Sequence, residues 1–273
     1  MFVVLGTLAF LVFRTSEPVA QSRPLSSWLV DVDYNQPAAT RERASKAIRE
    51  IGTNALPYLL RDLDPPEESK LRRWLVKLLR KQTFVKVRLR TSDEKSRQAT
   101  WAFKALGPAG RPAIQKLVPL LERNPGYVPG ALAGIGPDAV PHLCRALDSS
   151  NAFVRGNTAA YLGNAVWDLS IPKSNAMAAV PSLLRNLQDT NHLVRWHSAS
   201  TLGAITYNPG VVVPALIRAL EDSNGAVAEA AARALGAFGS DAKQAVPALR
   251  VASQHKDSRV SSAAAAALKE VDR

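Results

Sequence analysis

Residues Asn191–Ser223 read NHLVRWHSASTLGAITYNPGVVVPALIRALEDS, and their pattern decides the fold. In the second half, Val213, Leu216, Ile217 and Leu220 fall at i, i+3, i+4 and i+7, which is one apolar helical face. The first half carries Val194, Leu202 and Ile205 at helical spacing, with small Ser198 and Ala199 between them. Asn208-Pro209-Gly210 separates the halves with turn formers. Two helices this short leave their apolar faces in water unless similar neighbours stack against them, so copies are expected.

The marker of a copy is an apolar residue, then Pro, then an apolar helix. It occurs at Leu56-Pro57, Val140-Pro141, Val180-Pro181, Val213-Pro214 and Val246-Pro247. The last three prolines are 33 residues apart, and Pro141 and Pro181 are 40 apart. Pro is tolerated in the first helical turn, where its missing N–H would have no partner. The apolar positions repeat as Leu56, Leu59, Leu60, Leu63, as Val140, Leu143, Cys144, Leu147, and as Val180, Leu183, Leu184, Leu187. Ile114, Leu117, Val118 and Leu121 form a sixth copy with Gln115 in the Pro place. First helices begin alike at Phe153-Val154-Arg155, Leu193-Val194-Arg195, Ala226-Val227-Ala228 and Arg259-Val260-Ser261.

The D-x-x-x-x-V-R run at Asp189–Arg195, its longer-spaced version at Asp148–Arg155 and the V-P-x-L-[LI] helices resemble HEAT repeats, in particular the short kind found in phycobilin lyases. The resemblance covers roughly residues 37–273. It implies an all-α fold, a right-handed α-solenoid of about six helical-hairpin repeats, whose second helices line the concave surface. It says little about function, because one fold hosts many activities. Ala228 and Ser261 stand where the family has Arg, which leaves its ion pairing between repeats open at those two positions.

The chain of 273 residues is 47% hydrophobic, enough for a sizeable core distributed between neighbouring repeats. Its single cysteine excludes an internal disulfide and a cysteine metal cluster, and Cys144 falls on an apolar helix position. Phe2–Phe13 is apolar except for Gly6 and Thr7, shorter than the roughly 20 residues of a spanning helix. Residues 1–13 read as a signal peptide or membrane anchor whose basic front is missing. That reading puts the rest at the membrane or exported, on the periplasmic side of a bacterium; a buried helix in a cytoplasmic protein is the alternative. Residues 14–36 are a linker and N-terminal cap, in which Pro24–Leu29 starts a short helix. That segment is similar to one following the membrane anchor in some bacterial HEAT proteins.

Residues 65–105 hold 12 Lys/Arg against 4 Asp/Glu, most of the chain's +12. Lys70–Gln82 is an amphipathic helix with Leu71, Trp74, Leu75, Leu78 and Leu79 on one stripe and Lys70, Arg73, Lys77 and Lys81 opposite. Val85–Arg90 alternates with period two and puts Lys86, Arg88 and Arg90 on one face of an extended segment. Residues 65–92 therefore read as a basic insertion in the repeats. It is either a patch for phosphate-bearing partners or anionic lipid, or a solvated face with snorkelling side chains. Downstream, the glycines and Pro129 of Gly126–Ile135 predict a loose or kinked first helix, and Trp167–Asn175 a long turn.

Four residues after each of four repeat prolines lies an arginine: Arg61, Arg145, Arg185 and Arg218. At 100° per residue this position lies about 150° from the centre of the apolar face, so these side chains face solvent. A ladder of arginines on the second helices is a candidate groove for anionic groups. The competing reading pairs them with Asp64, Asp148, Asp189 and Asp222, which follow at i+3 or i+4.

No catalytic constellation is visible, and no cofactor is implied. The histidines His142, His192, His197 and His255 form no His-Glu dipeptide of the kind used by iron-binding HEAT-repeat hydroxylases, and no Gly-rich phosphate loop, G-x-S-x-G or CxxC occurs. The leading expectation is a non-enzymatic protein–protein interaction scaffold, membrane-targeted, binding a protein partner on the concave face. The alternative is nucleic-acid or other polyanion binding through that face and the basic segment. It draws on a resemblance to HEAT-like alkylpurine DNA glycosylases, which also need a catalytic Asp beside aromatics; Trp167-Asp168 is the only adjacent Trp-Asp pair and lies in a turn. A third class, an accessory subunit of a bilin lyase, would show itself by bound pigment.

Overall fold

A computed structural model describes residues 17–64 and 90–273 of the chain. The apolar run at 1–13 and most of the basic stretch, with Arg73, Lys77, Lys81, Lys86 and Arg88, lie outside the described residues. The chain forms two compact units, Met1–Pro112 and Ala113–Arg273. Apart from one two-residue strand pair, β1 (Val19–Ala20) with β2 (Arg23–Pro24), every regular element described is helical.

In the first unit, α1 (Leu25–Asp31) is followed by the hairpin α2 (Ala38–Ile51) and α3 (Leu56–Leu63), and then by α4 (Ser92–Leu106). Trp28 of α1 is buried and its indole N–H donates to the carbonyl of Ala20, which ties the strand pair to the helix. Gly52 ends α2 at φ 60°, a left-handed conformation that glycine adopts without a Cβ clash, and Pro57 sits in the first turn of α3. A capping box opens α4: the Thr91 hydroxyl accepts from the Glu94 N–H while the Glu94 carboxylate accepts from the Thr91 N–H.

The second unit starts with α5 (Ile114–Leu117), which a 3-10 turn with Pro119 cuts short. Helical hairpins follow: α6 (Val128–Ile135) with α7 (Val140–Ala146), and α8 (Ala152–Trp167) with α10 (Val180–Asn186), joined through the one-turn α9 (Lys173–Ala176). Next come α11 (His192–Ile205) with α12 (Pro209–Ala219), α13 (Gly225–Phe238) with α14 (Val246–Ala252), and finally α15 (Ser258–Val271). Side chains of Asn151, Asn191, Asn224 and Asp257 accept from the N–H two residues on and so cap α8, α11, α13 and α15. The apolar residues predicted for the second helices are the ones buried: Leu143, Leu183, Leu216 and Leu249 are wholly inaccessible.

The first helices of this unit pack backbone to backbone. A Cβ on Gly203 of α11 would lie 2.7 Å from Cα of Ala234 on α13, and one on Gly236 would lie 3.0 Å from Cα of Ala267 on α15. Small residues at one repeated position therefore set the spacing of neighbouring repeats.

Two sequence expectations change. The segment 126–135 is not loose: α6 begins only at Val128, Pro129 falls in its first turn, and every residue of the helix is buried. In 206–210, Thr206 and Asn208 take the left-handed turn (φ 49° and 52°), so Pro209 opens α12 and Pro214 comes to lie inside it.

Candidate functional site

The arginines four places after the repeat prolines are all exposed. What distinguishes them is the residue one turn earlier. In the first unit, the Arg61 guanidinium lies 5.3 Å from the ring centre of Tyr58. In the second, Arg145 Nη2 donates to His142 Nδ1 at 2.7 Å. Burial and the neighbouring Arg145 charge push the His142 pKa below its usual value, so the ring stays neutral and can accept. Arg185 Nη2 donates to Ser182 Oγ at 2.9 Å and to Asp148 Oδ1, at the end of the preceding repeat, at 2.8 Å. Ser182 Oγ in turn donates to Asp148 Oδ2 at 3.1 Å, closing a three-membered network. One repeat later Ala215 stands in the place of Ser182 and Gln188 in the place of Asp148, and no partner of Arg218 is found among the described residues.

The intrahelical ion pairs expected from the spacing do not form in the second unit. Asp189 lies 2.6 Å from Arg155, and Asp222 lies 2.6 Å from Arg195; each arginine belongs to the preceding first helix. The reason is local: α10 ends at Asn186 and α12 at Ala219, so these aspartates lie beyond the helix and no longer follow its i+4 surface. They accept instead from the N–H groups of Asn191 and Asn224, which turn the chain into the next repeat. Burial pushes the Asp222 carboxyl up, but the hydrogen bond from Arg195, the Asn224 N–H and the Arg195 charge together hold it below the usual range. At position 228 the residue is Ala, and the arginine series stops there.

Between α10 and α12 lies an open groove of about 720 Å³. Leu184, Val211 and Ala215 give it an apolar wall, and Arg218 and Glu221 stand at its rim with Gln188. Asp189 and Asp222 also line it, yet both carboxylates are already held by arginines. Val211 is 52% exposed although it lies on an apolar helix. Of these lining residues, Arg218 is legible in the sequence as an outward-facing residue, whereas Val211 and Gln188 are not marked by the repeat pattern. Their signal is comparative: the place of Val211 holds Asn54, Asp138, Ala178 and Gln244 in the other repeats, and that of Gln188 holds Asp64, Asp148 and Glu221 in three of them and Gln254 in the last.

The other candidates are less available. Arg90 donates to Gln98 Oε1 at 2.9 Å and lies 3.6 Å from the buried Asp62, so it is taken up within the first unit. Burial raises the Asp62 pKa against the attraction of Arg90, Lys95 and Arg61. Asp168, of the Trp167-Asp168 pair, accepts from both the N–H and the hydroxyl of Ser170. The Cys144 thiol is pushed up by burial and by the charge of Asp148, which disfavours a reactive thiolate. No cluster of His, Cys, Asp and Glu with metal-binding geometry occurs among the described residues, and no described helix is long and apolar enough to cross a membrane.

These stacked hairpins, with exposed arginines on the second helices, define a helical-repeat protein. Residues 213–273 match the family model of the HEAT repeats. Two solved structures share the fold. A crystal structure of an engineered protein is 22% identical, with 91% of this chain and 68% of that one covered and a TM-score of 0.50. The karyopherin Kap121p, solved bound to the extreme C-terminus of the protein phosphatase Cdc14p, is 13% identical with a TM-score of 0.58. That match covers 90% of this chain and 29% of the karyopherin. No curated protein matches the sequence.

Proposed function

We propose that the chain is a non-enzymatic scaffold that holds a segment of another protein against the second helices of its C-terminal unit. The observation that carries this reading is the groove between α10 and α12, with its exposed Val211 and an Arg218 that has no partner among the described residues. A surface used only for solubility has no need of an apolar wall beside a free guanidinium, whereas partner recognition combines the two. The karyopherin with the same fold, captured with a C-terminal tail of its partner, supports the mode of binding by analogy. The proposal includes the segment 1–13 as a membrane-targeting element, tested by cell fractionation of the full chain against one starting at residue 17.

The polyanion alternative fits this groove less well. Glu221 is exposed at its rim, so a phosphate backbone, with several charges in succession, would meet an acid beside Arg218. Site-specific photocrosslinking in cells tests the reading. A crosslinker at Val211 or Arg145 is expected to give a discrete protein adduct, and one at Ser200 on a first helix is not. Adducts with nucleic acid from Val211, or protein adducts from Ser200 alone, would overturn it.

A further inference from the structure

The repeats of the second unit contain their own comparison for Arg218. In the repeat before it, a carboxylate and a hydroxyl hold the corresponding Arg185: Asp148 Oδ1 accepts at 2.8 Å and Ser182 Oγ at 2.9 Å. The same two places around Arg218 hold Gln188 and Ala215, one neutral and one without any acceptor. Arg218 is exposed, lines the groove, and has no partner among the described residues. The nearby acids do not compensate. Asp222 is held through both oxygens by Arg195, at 2.6 and 2.9 Å, and Asp189 is 2.6 Å from Arg155. Leu184 and the half-exposed Val211 line the same groove as Arg218.

We infer that Arg218 receives a carboxylate from the bound protein partner, the kind of acceptor that Asp148 gives Arg185 one repeat earlier, while an adjacent aliphatic side chain of the partner packs on Val211 and Leu184. This rests on the proposed binding of a protein segment to the second helices, and it names what that segment carries: an Asp or Glu beside a Leu, Ile or Val. The segment is not polyacidic, because Glu221 at the groove rim repels a second carboxylate. A charge-assisted pair beside an apolar contact is the arrangement that gives an exposed arginine its selectivity.

The test selects a random peptide library displayed on phage against the full chain and measures the enriched peptides by fluorescence anisotropy. Enriched peptides are expected to share an acidic residue next to an aliphatic one. Arg218→Ala is expected to weaken them roughly tenfold, and replacing the peptide's acid by its amide in that variant to cost nothing further. The double variant Gln188→Asp, Ala215→Ser rebuilds the Arg185 surroundings around Arg218. It is expected to engage Arg218 internally and to weaken the peptides by a similar factor, with thermal melting as the check on folding. Peptides that crosslink to Val211 but ignore both Arg218→Ala and the acid-to-amide change overturn the carboxylate assignment and leave the second-helix reading standing. Peptides that crosslink only from first-helix positions such as Ser200 overturn both.

Discussion

Arg195 of α11 grips Asp222, in the loop that follows α12 of its own hairpin, with two donated hydrogen bonds, Nε to Oδ2 at 2.6 Å and Nη2 to Oδ1 at 2.9 Å. Its remaining nitrogen, Nη1, donates to the carbonyls of Asp189 and Thr190 in the loop before its own helix. One planar guanidinium thus ties two successive loops together. Arg155 does the same one repeat earlier, bonding the carbonyls of Ser149 and Ser150 and the carboxylate of Asp189. The side chains of Arg195 and Asp222 are only 16% and 11% exposed, so removing one leaves the other short of solvent. Arg195→Ala should therefore destabilise the second unit by about 3 kcal/mol, and Arg195→Lys should recover only part of it, since an ammonium cannot reproduce the fork. Urea unfolding followed by tryptophan fluorescence at neutral pH measures both, and an unchanged midpoint would sink the idea that this clamp holds the repeats together.

Acid should weaken the second unit in two separate windows. His197, its ring centre 4.3 Å from that of Trp196 and tilted 32° to it, has its pKa depressed by burial. The folded state then binds fewer protons than the unfolded chain, so stability falls as pH drops below the unfolded value of about 6.5 towards the lower folded one. His197→Gln should flatten this first loss; the part left belongs to His142, shifted in the same direction. The Asp222 carboxyl is also depressed, so its contribution is complete above the unfolded value of about 3.9 and disappears as pH falls through the folded value. Thermal melts across both windows for the wild type, His197→Gln and Asp222→Asn check the assignment.

Gly203→Ala places a methyl group 2.7 Å from the backbone Cα of Ala234, which cannot rotate away. The two first helices must separate, and overpacking of this kind costs roughly 1–3 kcal/mol. Gly210→Ala serves as the control, since nothing lies near the added Cβ. Equal unfolding midpoints for the two variants would contradict the close approach.

Thr158 and Ser198 occupy the same position in successive first helices, both fully buried, and neither hydroxyl has a hydrogen-bond partner among the described residues. A buried hydroxyl with no acceptor loses its water without compensation. Thr158→Val and Ser198→Ala should each leave stability unchanged or raise it by about 1 kcal/mol. A loss of more than that on chemical denaturation would mean that the hydroxyls do have partners.

The second helices were legible in the sequence because their causes are local. Pro57, Pro141, Pro181 and Pro247 mark first turns, and the apolar residues behind them recur at the helical period. The outward direction of Arg145, Arg185 and Arg218 follows from the same 100° rotation and holds in the structure. Pro214 shows where local reading ends. Its copy of the motif is intact, yet the helix starts five residues earlier, because Thr206 and Asn208 complete the turn before Pro209.

Spacing alone determined that the chain is built of repeated helical hairpins and which residue of each second helix faces outwards, since both depend on contacts within one turn or on a periodicity that any stacked copy must satisfy. Which acid answers which arginine was decided only by the tertiary structure. Asp189 and Asp222 stand at i+4 from Arg185 and Arg218 in the sequence, but the helices end before they are reached, and stacking brings them instead to Arg155 and Arg195 on neighbouring helices. Among the described residues Arg218 has no partner: Ala215, one turn earlier on its own helix, offers no acceptor, and the packing of one repeat against the next brings Gln188, not a carboxylate, to the same groove.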